Sequence, residues 1–320
     1  RDVTSEVLSV SAWATDASNG VSRYGAGPWY ECRVRAELSL PAMGYETFAV
    51  VKGKALEHCP TSPTYDLEND WLGVKASPDG TLEVTEKRTG HVYHQMLELV
   101  DDVDAGDSYD WSSDPEAPLV VSSVGSAAEV ERLDGRRLRI RVGMMLPRNR
   151  AERMEGHCSV EEKVELLVAL PSDRPMLHVS AKVANAAVDH RLRVLLPADV
   201  PSDVSHADQT FGLIERPTRL AASQTWRERG WNERPRTMQS LCYLEGHGRL
   251  VELVTDSVKE YQVVGEQMET IAYTLMRSFT KMGRPDLPDR PGRESGKPWD
   301  TPDAALLGTH EFTFAIAFPA

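Results

Sequence analysis

Alternation of apolar and polar residues with a period of two constrains this chain most. Leu138, Ile140, Val142 and Met144 share one parity, with Arg137, Arg139 and Arg141 between them. Cys32, Val34, Ala36, Leu38 and Leu40 repeat the pattern up to Pro41, as do Leu177, Val179, Ala181 and Val183. Phe312, Phe314, Ile316 and Phe318 close the series. Successive side chains of a strand point to opposite faces, so each run predicts a strand with one buried face. The last run is apolar on both parities from Ala315, which predicts a central position in a sandwich. Asp79-Gly80 and Asp134-Gly135 fall between such runs and read as two-residue hairpin turns, because Gly accepts positive φ. Met268, Ile271, Ala272, Leu275 and Phe279 fit a helical period, but 270–275 alternates equally well and is taken as strand. Irregular pieces at 11–28, 201–209, 216–238 and 283–302 interrupt the strands. The expected fold is mainly β: a large antiparallel β-sandwich with long loops and little helix.

A length of 320 residues allows about two domains or one large β domain. The net charge of -13 argues against nucleic acid, whose partners carry basic surfaces. No apolar run approaches the ~20 residues of a membrane helix. Arg1 opens the sequence with no signal-peptide pattern, so the expectation is a processed chain or part of a longer one. Cys32, Cys59, Cys158 and Cys242 form no CxxC pair; disulfides in a secreted protein are open to them, but four thiols in 320 residues more often mean a reducing cytoplasm.

The densest chemistry lies in Asp101-Asp102-Val103-Asp104-Ala105-Gly106-Asp107-Ser108-Tyr109-Asp110-Trp111. Carboxylates that accept hydroxyl hydrogens, beside rings that cover apolar sugar faces, suit a site that handles sugar. With Gly106 at position six of a calcium loop, positions three and five would be Val103 and Ala105, so the EF-hand pattern fails. Glycosidase carboxylates flank the scissile bond at ~5–9 Å, which neighbours in one loop seldom do. A substrate-facing loop and a solvated turn both remain open at this point. The basic stretch 283–297 is no phosphate loop, since Pro291 and Pro298 replace the required Gly and Ser/Thr; its arginines suit carboxylates or hydroxyls. His91 and His94 sit at an odd offset in a predicted strand and face opposite ways. Arg219, Trp226, Arg227, Arg229, Trp231 and Arg234 form an aromatic-basic segment, read as a sugar platform, a partner surface, or buried Trp stacked with Arg.

A series of strings in order gives the chain a resemblance. They are Leu82-Glu83-Val84-Thr85-Glu86-Lys87-Arg88-Thr89-Gly90, Asp104-Ala105-Gly106-Asp107-Ser108-Tyr109-Asp110 and Asp189-His190-Arg191-Leu192-Arg193-Val194. Further on come Phe211-Gly212-Leu213-Ile214-Glu215-Arg216-Pro217, Thr274-Leu275-Met276-Arg277-Ser278, Arg290-Pro291-Gly292-Arg293 and Thr301-Pro302-Asp303. The chain resembles the C-terminal β region of glycoside hydrolase family 38, the retaining zinc-dependent α-mannosidases. The likeness is to the bacterial branch with 2-O-α-mannosylglycerate hydrolases. The resemblance implies residues 1–57 as a small β segment following a helical bundle, and 58–320 as the large sandwich. It implies that zinc and the nucleophile belong to an N-terminal catalytic barrel and helical bundle of the same polypeptide, so this chain alone is expected to be inactive and to hold no metal. It further implies an α-mannoside substrate met by Tyr109, with Arg290 or Arg293 approaching the sugar; Asp107 is added for its position and chemistry. A homodimer is a further expectation for a large exposed β domain. The competing function is a non-catalytic carbohydrate-binding or assembly domain.

Overall fold

A computed structural model describes the backbone of residues 5–12 and 30–36, and residues 43–45, 47–48, 64–219, 235–257, 259–287, 290, 292 and 295–319 in full. The chain divides into two compact units, Arg1–His58 and Cys59–Ala320. In the first, Ser5–Ala12 pairs antiparallel with Tyr30–Ala36, and the register slips between Val7 and Ser9. Leu38, Leu40 and the segment around Trp226 and Trp231 lie outside the described residues.

The second unit holds three antiparallel sheets among its described residues. The largest has nine strands, in the order Gly212–Pro217, Val204–Gln209, Leu241–Gly246, Arg249–Thr255, Gly308–Ala317, Met176–Asn185, Val160–Ala169, Arg137–Leu146 and Ala128–Asp134. Six strands make the second: Arg236–Met238, Lys259–Val264, Thr270–Ser278, His190–Pro197, Glu98–Val103 and Val121–Ser122. Leu67–Glu68, Leu72–Ala76, Leu82–Glu86 and His91–Met96 form the third. Inward-facing residues of all three meet in one core, with Ile140, Leu166, Val179 and Ile316 from the first sheet, Val194 and Tyr273 from the second and Val84 from the third. Burial of such side chains contributes roughly 1.5–3 kcal/mol each. The mainly β sandwich with little helix is therefore the observed fold.

Gly308–Ala317 pairs on both sides, with Met176–Asn185 and Arg249–Thr255, and its last four residues are buried on both parities, as their apolar run requires. Thr270–Ser278 is a strand buried on both faces, so the helical spacing around Ile271 and Leu275 carried no helix. Three expectations change. The turn at Asp79-Gly80 spans more than two residues. Gly80 N–H donates to Ser77 O at 3.0 Å and Ser77 N–H to Thr81 O at 2.8 Å, with Gly80 at φ +85. Near Asp134-Gly135 two residues do join the strands, but they are Gly135 and Arg136: Asp134 still belongs to its strand, pairs with Arg137, and closes the turn by accepting Arg136 N–H on Oδ1 at 2.7 Å. Residues 201–209, read as irregular, contain the strand Val204–Gln209. Ser205 sits at a buried position there and reaches Tyr261 Oη at 3.0 Å, so a polar residue on the inner face hid the alternation.

Candidate functional site

The strand Glu98–Val103 runs straight into the loop 104–112, and its acidic residues explain why the loop holds one shape. Each of the five aspartates meets an arginine from a distant part of the chain. Asp101 pairs with Arg153, Asp102 with Arg191 and Arg193, Asp104 with Arg277, and Arg290 with both Asp107 and Asp110. Arg191 grips Asp102 as a fork, at 2.9 and 2.7 Å, and its guanidinium lies 3.9 Å from the centre of the Trp111 ring. Burial raises the Asp102 carboxyl and is the largest single effect, but the charge and hydrogen bonds of Arg191, together with the charges of Arg193 and Arg153, outweigh it and hold the group below the usual carboxylate range. At Asp104 burial wins, and the group lies above that range despite Arg277 at 2.7 Å.

Asp107 is the centre of the loop. Its Oδ1 accepts the N–H groups of Tyr109 and Asp110 at 3.0 and 3.1 Å; its Oδ2 accepts Arg284 N–H at 3.0 Å and Arg290 Nη2 at 2.6 Å. Burial pushes its carboxyl up, but the backbone N–H groups of Arg284, Tyr109 and Asp110 more than offset this and hold it low. Gly106 is required by close approach: a Cβ there would run into Asp110 O. Arg284 adds a second tie, from Nε to Gly106 O at 2.9 Å. Ser108 Oγ donates to Met282 O at 2.7 Å, so the loop 104–112 and the described part of a second loop, 280–287 with 290, 292 and 295–300, form one rim.

Tyr109 is what this clamp presents. It is 56% exposed, in contrast to Asp104 and Asp107 at 0%. Its ring backs onto the second loop at Gly296, where a Cβ would lie 2.8 Å from the ring edge. The geometry therefore separates the sequence candidates. Tyr109 stands at the surface on a fixed support. Asp107 and Arg290, expected to contact sugar, are 0% and 2% exposed and face each other. Their place is behind the rim, with each engaged by the other. Arg293 lies outside the described residues. The aspartates are not a freely solvated turn: each is paired with an arginine from a distant part of the chain. Arg277 was missed as a loop support, and Arg284 was read only as one of several arginines suited to carboxylates or hydroxyls; they lie 170 and 178 residues from the loop residues they hold, beyond any local spacing signal.

Among the described residues no group of three or more His, Cys, Asp or Glu side chains is placed to hold a metal ion. The chemistry of the donor set agrees: the carboxylates of the loop are already engaged by guanidinium groups. His91 Nε2 lies 3.0 Å from Asp199 and His94 Nδ1 3.2 Å from Glu83, in separate surroundings. No helix among the described residues is long and apolar enough to cross a membrane.

The same β architecture occurs in larger glycosidases. An α-mannosidase from Enterococcus faecalis V583 superposes with a TM-score of 0.72 at 20% identity, covering 99% of this chain and 36% of that one. A family 38 glycosyl hydrolase from Enterococcus faecalis gives 0.70 at 20% identity, over 99% and 37%. In sequence, the protein named "Putative mannosylglycerate hydrolase" from Halalkalibacterium halodurans is 25% identical over 274 residues, 78% of this chain and 28% of that protein. The model of the glycosyl hydrolases family 38 C-terminal domain matches residues 67–291, and the chain belongs to this family. It spans about a third of the length of these relatives.

Proposed function

We propose that this chain forms one wall of the active site of a retaining, zinc-dependent α-mannosidase, with Tyr109 as its sugar-facing residue. The observation that carries the reading is the exposed phenol on a loop fixed from behind by Asp107 and Gly296. Preorganised polar groups at a reacting centre hold their geometry without reorganisation during the reaction. Family membership and the α-mannosidase and mannosylglycerate hydrolase relatives support the substrate class. An α-mannoside, with 2-O-α-mannosylglycerate the leading candidate, is cleaved by two-step displacement between a nucleophilic carboxylate and an acid. Both of those groups, and the zinc, belong to an N-terminal barrel and helical bundle on the same polypeptide. Zinc supplies anchoring of sugar hydroxyls and charge stabilisation when bound. This chain's own part is to orient the sugar through the Tyr109 hydroxyl and to close the rim around it. Cys158 and Cys242 are free thiols, in keeping with a cytoplasmic setting.

The test is Tyr109→Phe in the full-length enzyme with an aryl α-mannoside. A hydrogen bond to a charged or developing-charge partner contributes ~1.5–3 kcal/mol, so kcat/KM falls by roughly 10- to 100-fold. An unchanged kcat/KM removes Tyr109 from the site.

A further inference from the structure

Behind the rim lies a buried group that this reading does not use. His190 is 0% exposed and begins the strand His190–Pro197. Its Nδ1 lies 2.5 Å from Asp101 Oδ2, and its Nε2 lies 3.1 Å from Asn185 Oδ1. The orientation of the Asn185 amide is fixed independently. Its Nδ2 donates to Ala305 O and Leu306 O at 3.1 and 2.9 Å, and its Oδ1 accepts Ala187 N–H at 2.9 Å. An oxygen therefore faces Nε2, and that nitrogen must carry a proton. The carboxylate of Asp101, held on its other oxygen by Arg153, asks the same of Nδ1. Both ring nitrogens donate, which is the imidazolium form.

The residue before His190 connects this centre to the rim. Asp189 holds a left-handed backbone at φ +55, a cost of about 1 kcal/mol or more that its surroundings sustain. Its carbonyl accepts Asp104 N–H at 3.0 Å, at the start of the loop that carries Tyr109. Its Oδ1 accepts Thr280 Oγ1 at 3.0 Å and Arg284 Nη2 at 3.4 Å, from the second loop. Arg284 in turn binds Gly106 O and Asp107. Asp189 thus touches both halves of the rim, and the anchored His190 is its direct neighbour in the chain.

We propose that His190 is a positioning residue: a buried imidazolium whose clamp on Asp101 and Asn185 sets Asp189 and, through it, the two loops that present Tyr109. Its functional consequence rests on Tyr109 being the sugar-facing residue. The charged groups around it are Asp101 on the strand Glu98–Val103, Arg153 on the helix Arg150–Met154 and Glu162 on the strand Val160–Ala169. Burial opposes the imidazolium, yet the carboxylate of Asp101 outweighs it and raises His190 above its ordinary 6.5. A raised folded value gives a clamp fully present below 6.5 and lost as pH rises through the folded value.

Two measurements on the ¹⁵N-labelled 320-residue chain test this, and neither involves a sugar, so they stand or fall separately from Tyr109→Phe. Ring-nitrogen spectra at about pH 7.5 are expected to show both nitrogens of His190 protonated; one bare nitrogen overturns the proposal. In His190→Gln, amide exchange protection at Tyr109 and Asp110 is expected to fall about tenfold or more, while Val142 and Val164 in the core keep theirs. Unchanged rim protection, or equal loss in rim and core, overturns it. Should His190→Gln fail to fold, the native chain taken from about pH 6 to 9 carries the same comparison. Rim protection factors then fall ahead of the core, and a rim that keeps pace with the core refutes the clamp.

Discussion

Glu162→Gln is expected to stabilise the protein at alkaline pH and to leave it nearly unchanged at about pH 4.5. Glu162 sits in the strand Val160–Ala169, opposite Met144, with 0% exposure, and both carboxylate oxygens lack a hydrogen-bond partner. Burial pushes its carboxyl from 4.5 up to about 7. The attraction of His190 pulls the other way and loses, because it acts without a hydrogen bond. The unfolded chain releases this proton near 4.5 and the folded one near 7, so between them the folded state binds more protons and stability falls as pH rises. Above about pH 7 the loss levels off at about 3 kcal/mol. Gln mimics the neutral acid, so it removes the charge while keeping the shape and leaves one buried amide to satisfy. That residual cost is present at every pH and cancels when the gap between variant and native protein is compared across pH. Scanning calorimetry in steps from about pH 5 to pH 8 reads this gap. At roughly 2 °C per kcal/mol for a domain of this size, it should widen by about 6 °C over that range. A gap that stays constant with pH, or a variant that loses ground at the alkaline end, refutes the argument that buried charge is what Glu162 costs.

Two further outcomes follow from the rim. Asp102→Asn leaves the buried guanidinium groups of Arg191 and Arg193 without their shared carboxylate, which should cost about 3–5 kcal/mol in urea unfolding followed by Trp fluorescence; a loss below about 1 kcal/mol would count against a buried pair. Gly296→Ala puts a methyl against the Tyr109 ring, so full-length activity should drop about as far as in Tyr109→Phe, with little change in Tm; full activity would show that Tyr109 does not need its support.

The sandwich was legible because its signal is local. Leu138, Ile140, Val142 and Met144 alternate along a single strand of ten residues, and a strand with one wet face must alternate. Strands whose inner face carries a satisfied polar residue were not legible, as Ser205 against Tyr261 shows. The acidic loop stood out in the sequence, but the partners of its aspartates did not. Five neighbouring aspartates look like free carboxylates until the arginines that neutralise them are known.

By itself, then, the sequence determined a mainly β chain, the loop with Tyr109 in it, and the family to which those strings belong. Only the tertiary structure decided which side chains of that loop face outward. Asp101 finds Arg153, Asp104 finds Arg277 and Asp107 finds Arg290, pairings across 52 to 183 residues that only the tertiary fold brings together. A buried carboxylate needs a matched cation, so folding drew the aspartates inward with their arginines and left the phenol of Tyr109 at the surface.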